Sequence, residues 1–239
     1  MTPFRATPDG YEAHWEEAER TVLAEVAREV AALLRDQAGL PDGDDDPLGT
    51  LSATTQSTGT AREPEDPAAL RLLPDASRDD AEVSAEFRHL TQTDLAAAKV
   101  RALETFADLV DTDHDDDWPG WDDEASAAGG LDADLGPDAG DGGIVAVGRD
   151  AARDVAAALT DMRLVIAQRL GLDTDEDVEQ MHDLVVADAV DDDPVRGLDA
   201  DTRRYWGGVF VAAGFAQESL VEAMLDDLRA RRRSDDAQA

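Results

Sequence analysis

Apolar residues follow two periods along the 239-residue chain, a short stretch of period two and longer stretches of period three to four. Tyr11, Ala13 and Trp15 alternate with Glu12 and His14, the period of a strand with one buried face. Pro8-Asp9-Gly10 precedes them, with proline setting φ and glycine supplying a left-handed position, so a hairpin is predicted over Phe4 to Trp15. From Glu16 to about Gln37 the period lengthens. Val22, Val26, Val30 and Leu33, with Leu23, Ala27 and Leu34 beside them, form one helical stripe. Glu16, Glu17 and Glu19 sit where the helix dipole favours carboxylates, and Gly39 and Pro41 mark the end.

Asp44-Asp45-Asp46-Pro47 and the Ser/Thr/Gly run up to Thr60 read as a mobile loop. Pro67 suits the first turn of a short helix carrying Leu70, Leu72 and Leu73, which Pro74 stops. Two more helices are then expected. One runs from Asp79 to His89 and presents Val83 and Phe87 at i, i+4. The next opens on a Thr91–Asp94 capping box and carries Leu95, Leu103, Phe106 and Val110 along one side.

Ile144-Val145-Ala146-Val147 suits a third strand beside the hairpin. Asp150 is the expected N-cap of a helix with Val155, Leu159, Met162, Ile166 and Leu170 on one face, ended by Gly171. Thr174 with Asp177 forms a second capping box, opening a helix through Val178, Met181, Leu184 and Val185 that Asp191-Asp192-Asp193-Pro194 breaks. The last helix is expected from about Asp199 to Ala230, with Tyr205, Trp206, Val209, Phe210, Leu220, Met224 and Leu228 apolar. Gly207, Gly208 and Gly214 weaken it by about 1 kcal/mol each unless close backbone contact compensates. The expected fold class is mainly α, a helical domain with a small N-terminal β-hairpin or three-stranded sheet.

Composition changes this picture in one place. Residues 111–143 hold twelve acidic residues, seven glycines and no lysine or arginine, which predicts a disordered acidic insertion. It separates an N-terminal half (1–110) from a C-terminal half of the same domain (144–230), followed by a tail (231–239). Trp118 and Trp121 are the insertion's large apolar groups, suited to docking on the domain or a partner.

With 56 acidic against 21 basic residues the formal net charge is −35, a field that repels phosphate backbones and anionic lipid. Direct nucleic-acid binding and membrane association are therefore not expected. Codon bias in a GC-rich genome, with or without salt adaptation, explains the excess of aspartate and the single lysine, Lys99. Cysteine is absent, which excludes disulfides, thiol catalysis and Cys-type zinc sites. No secretory apolar region is visible near the start, and no stretch reaches the roughly 18 apolar residues of a membrane span, so a soluble cytoplasmic protein is expected.

Candidate chemistry is sparse. His14, His89, His114 and His182 lack the i, i+4 spacing of a helical zinc pair. Asp111-Thr112-Asp113-His114-Asp115 opens like a calcium loop, but Asp116 stands where the loop needs glycine. No phosphate loop, nucleophile elbow or dinucleotide fingerprint is present. No catalytic residue, metal or cofactor is assigned, and a non-enzymatic protein is expected. A helix-turn-helix around Thr91 would offer only Lys99 and Arg101 as cations on its second helix, a poor recognition surface. Arg229, Arg231, Arg232 and Arg233 complement a helix C-terminus.

Asp161 and Arg163 form either a functional pair or a bridge to neighbouring helices through the acidic first helix, and Arg78 with Asp79 and Asp80 carries the same two readings. Asp75, Arg78 and Arg88, with Asp161 and Arg163, are the candidate partner-binding residues.

Pro64-Glu65-Asp66-Pro67, Arg71-Leu72-Leu73-Pro74-Asp75-Ala76, Arg78-Asp79-Asp80, Glu86-Phe87-Arg88, Thr91, Asp94-Leu95 and Lys99 resemble an actinobacterial family labelled AosR, for actinomycete oxidative stress regulator. That family was long catalogued as a domain of unknown function. Leu159 to Leu164, Arg169-Leu170-Gly171, Tyr205, Gln217 to Val221 and Phe4-Arg5 with Asp9-Gly10 continue the resemblance in the same order. It implies a stress-linked transcriptional regulator contacting a sigma factor or RNA polymerase, with an accessory role in Clp-adaptor-dependent proteolysis as the alternative and an unrecognised enzyme as a remote third. Sensing oxidant through a thiol pair is impossible here. Met1, Met162, Met181 and Met224 are the oxidisable groups that remain.

Overall fold

A computed structural model describes residues 1–40, 63–77, 79–111, 142–186 and 199–236. In chain order their elements are β1 (Arg5–Ala6), β2 (Gly10–Glu16), α1 (Glu17–Ala38), α2 (Pro67–Leu72), α3 (Ala81–Asp111), β3 (Gly142–Gly148), α4 (Ala152–Leu170), α5 (Asp175–Val186) and α6 (Ala200–Asp236). The fold is mainly α with a three-stranded antiparallel sheet, as the periodicity predicts. The expected loop up to Thr60, the body of the acidic insertion with Trp118 and Trp121, the greater part of the calcium-like run and the Asp191–Pro194 break lie outside the described residues.

The strands stand in the order β1-β2-β3. Tyr11 pairs with Val147 and Ala13 with Val145, so inward positions meet inward positions across the ladder. Tyr11, Ala13 and Trp15 are buried while Glu12, His14 and Glu16 are exposed, the expected alternation. Phe4 meets Trp15 edge to face at 5.4 Å, a geometry the ring quadrupoles favour.

Glu16 and Glu19 form a capping box at the start of α1, and Gly39 ends it at φ 64. Met162, Ile166, Leu170 and the rest of the predicted α4 stripe are buried, and Gly171 closes α4 at φ 74. Asp150 does not cap α4. Ala151 occupies that position with no side-chain bond. Thr174 and Asp177 do cap α5, bonded reciprocally at 2.7 and 3.2 Å.

α3 corrects the expectation of two helices. It runs unbroken from Ala81 to Asp111, and the Thr91 hydroxyl donates to the Phe87 carbonyl at 2.9 Å instead of capping a new start. A helix-turn-helix is therefore ruled out here. Leu95, expected inside, is exposed.

α6 likewise continues past Ala230 to Asp236, carrying the arginine cluster on its last turns. Gly207 lets α6 close on α5, because a Cβ there would lie 2.3 Å from Met181 Sδ. By length and composition alone α6 could cross a membrane. An 18-residue window within it reaches a mean hydropathy of 1.3, with 44% of that window buried. Its inward side, including Val209, Phe210, Ala213, Ala216 and Leu220, joins the single core shared by residues from Phe4 to Ala223.

Arg149 ties the sheet to α6. Its guanidinium donates to Asp227 at 3.1 Å and to the Thr7 carbonyl at 2.6 Å, and it lies 5.9 Å from the Tyr11 ring centroid. Tyr11 donates to the same Asp227 carboxylate at 3.3 Å. Arg149 outranks burial as an influence on Asp227 and holds its carboxyl below the usual range.

Candidate partner-binding surface

The densest run of local signals, from Pro64 to Lys99, folds into α2, an elbow and the first half of α3. α2 is stitched down from both ends. Gln37 Oε1 on α1 accepts from the Glu65 and Asp66 amides at 2.8 and 3.0 Å. Asp66 caps α2 by accepting from the Ala68 amide at 2.7 Å, and it also takes Arg169 of α4 at 2.6 Å. Burial works against the Asp66 charge, but these hydrogen bonds outweigh it and hold the carboxyl below its ordinary value. Arg71 reaches Gln168 at 2.5 Å and Asp173 at 2.8 Å. These residues are scaffold.

At the elbow Ser84 donates to the Ser77 carbonyl at 2.6 Å and accepts from the Ser77 amide at 3.1 Å. Asp80 then caps α3, accepting from the Glu82 and Val83 amides at 3.0 Å. Arg88 pairs with Asp75 across the elbow, so two of the candidate partner-binding residues are joined to each other. The pair braces the chain leaving α2 against α3. Arg78 lies outside the described residues.

Asp161 and Arg163 are not joined to each other, nor to the acidic first helix as anticipated. Asp161, 3% exposed on α4, accepts from Lys99 of α3 at 2.6 Å. Its Oδ2 atom is buried without a hydrogen-bond partner. Burial raises the Asp161 carboxyl, and the Lys99 ammonium only partly reverses that rise. Arg163 turns to α6, donating to Gln217 at 2.8 Å and lying 5.1 Å from the Phe210 ring centroid. Gln217 donates in turn to Thr160 at 2.6 Å. Both residues link helices.

What these bonds leave open is the outer face of the first half of α3. Its second half is held on two sides, by Lys99–Asp161 and by Arg35–Glu104 and Arg28–Asp111 from α1. In its first half only Ser84 and Gln92 are buried before Ala96. Val83, Phe87 and Leu90 are 51%, 49% and 65% exposed. Their i, i+4, i+7 spacing sets them on one helix face, the pattern an amphipathic helix lays into a partner's groove. Asp79, Asp80, Glu82 and Glu86 flank the stripe and are exposed, while Arg88 is engaged by Asp75. The surface is an apolar ridge with an acidic border.

Sequence reasoning marks Val83 and Phe87 by their spacing but not Leu90, the third member of the stripe. Among the described residues no group of three or more histidine, aspartate or glutamate side chains is arranged to hold a metal ion. No curated protein and no solved structure matches the chain. A family model covers residues 1–224, and the chain belongs to that family, the domain of unknown function DUF2017.

Proposed function

We propose that this protein is a non-enzymatic cytoplasmic regulator that acts by binding another protein, with a sigma factor or RNA polymerase subunit as the partner, in stress-linked transcription. One observation carries the reading: Val83, Phe87 and Leu90 form an exposed apolar stripe on a helix whose other half is firmly clamped. Contiguous exposed apolar patches rimmed by polar residues mark interaction sites. The acidic border selects a groove with a basic rim. A net charge of −35 favours a protein partner over nucleic acid. The transcriptional setting comes from the resemblance to the oxidative stress regulators.

Affinity capture with the full chain, with and without oxidant, tests this. The expected result is recovery of a sigma factor or polymerase subunit by the natural chain and its loss by the V83S/F87S/L90S variant. Recovery of neither, or equal recovery by both chains, overturns the proposal. Recovery of Clp adaptors in their place would move the protein to proteolysis.

A further inference from the structure

The last turns of α6 carry a second exposed face, separate from the α3 ridge. Val221, Leu225 and Leu228 are exposed there, and at 100° per residue they fall on one side of the helix. The opposite side, with Leu220, Ala223 and Asp227, is the one that meets the core and Arg149. Glu218, Glu222, Arg229 and Arg232 border the exposed stripe.

The four charges bordering the stripe are segregated along the helix, while Asp226 and Asp227 pair with arginines of their own chain. Both glutamates precede Leu225 and both arginines follow it. Glu218 and Arg232 are equidistant from Leu225 in sequence, and Glu222 and Arg229 are equidistant within one residue. A helix with this pattern repels a parallel copy of itself, which sets like charge on like. It complements an antiparallel copy, which sets Glu218 on Arg232 and Glu222 on Arg229 about a two-fold axis near Leu225. The existing bond from Arg229 to Asp226 is exposed on both sides, so it offers little resistance to re-pairing.

We propose that the occupant of this face is a second copy of the chain, held by antiparallel pairing of the two α6 C-terminal segments. Charge is what singles out this occupant. With 56 acidic residues per chain, apposing two copies at random sets acid on acid. The stretch Arg229–Arg233 is where four arginines fall within five residues, and it stands beside its own acidic complement. A contact of about four helical turns per copy falls well short of the roughly 1,600 Å² of a standard interface, so the dimer is weak and concentration-dependent. Leu225 and the arginines lie beyond residue 224, where the family match ends.

Sedimentation of the full chain across about 1 µM to 1 mM, with two charge-reversed variants, tests the pairing. The natural chain should pass from monomer to dimer within that range. E218R/E222R and R229E/R232E should each weaken self-association at least tenfold, and an equimolar mixture of the two should restore it. E218R/E222R also reduces the net negative charge by four, so a dimer limited only by overall repulsion would strengthen in that variant. A natural chain that stays monomeric throughout, variants that associate as well as it does, or a mixture no stronger than its components each overturns the proposal. All four side chains are exposed, and far-UV circular dichroism checks that helix content is kept.

Discussion

Lys99 and Asp161 meet at 2.6 Å between α3 and α4, and the partners are unequal: the lysine side chain is 23% exposed and the aspartate 4%. That inequality sets what each truncation leaves behind. In Lys99→Ala the buried carboxylate loses its hydrogen-bond donor, a loss of about 3 kcal/mol. Asp161→Asn is expected to cost less, because the ammonium can turn to water. The apolar pair K99M/D161L should fall within about 1 kcal/mol of the natural chain. Denaturant midpoints measure all three. Burial already raises the Asp161 carboxyl, and without Lys99 it rises further. A carboxyl raised in the folded state stabilises at low pH and loses that contribution as pH climbs, so the Lys99→Ala deficit should shrink as pH falls from neutral toward the unfolded carboxyl value of about 3.9.

Asp227 has the opposite sign. Its hydrogen bond from Arg149 leads the factors that hold its carboxyl below the ordinary value, against a smaller effect of burial. Stability from such a group is complete above the unfolded pKa of about 3.9 and is lost as pH falls through the lower folded value. Asp227→Asn should therefore lower the melting temperature at pH 7 and flatten the acid limb of the stability curve below pH 4. Thermal melts from pH 2.5 to 7 show whether both effects appear together.

Neighbouring glycines on α6 should respond in opposite directions. A Cβ on Gly208 meets nothing within 4 Å, so Gly208→Ala gains up to about 1 kcal/mol of helix propensity. On Gly207 the same carbon would lie 2.3 Å from Met181 Sδ and 3.1 Å from Val185 Cγ2. Met181 is buried and has little room to withdraw. Overpacking of that kind costs about 1–3 kcal/mol, so Gly207→Ala should be net destabilising. Chemical denaturation of the two variants side by side decides it.

The ridge on α3 should separate binding from stability. V83S/F87S/L90S removes apolar groups that are already about half in water, so the melting temperature should stay within a degree or two of the natural chain. A large drop would mean that the stripe supports the fold.

How far these features can be read in sequence depends on how local their causes are. The alternation of Tyr11, Ala13 and Trp15 and the stripe from Val155 to Leu170 are periods within single elements, and both are found. Gly39 and Gly171 mark helix ends because a left-handed residue is needed there. Thr91 and Asp94 mislead, since the same hydroxyl that caps a helix also bonds the carbonyl four residues back within one. The better guide was negative: no glycine or proline interrupts residues 81–111. Asp161 could be singled out, but its partner stands 62 positions away, and spacing within one helix says nothing of that. Periodicity likewise put Val83 and Phe87 on one side of a helix without telling whether another element covers it.

An uninterrupted α3 also has a mechanical meaning. At about 1.5 Å per residue its 31 residues span about 46 Å, anchored at Glu104 and Asp111 and bearing on α4 through Lys99. It is a cantilever. A load applied at Phe87 acts roughly 18 Å from the Lys99 support, with no hinge between them to absorb it. Binding force at the ridge is thereby shared between the elbow brace and the Lys99–Asp161 pair.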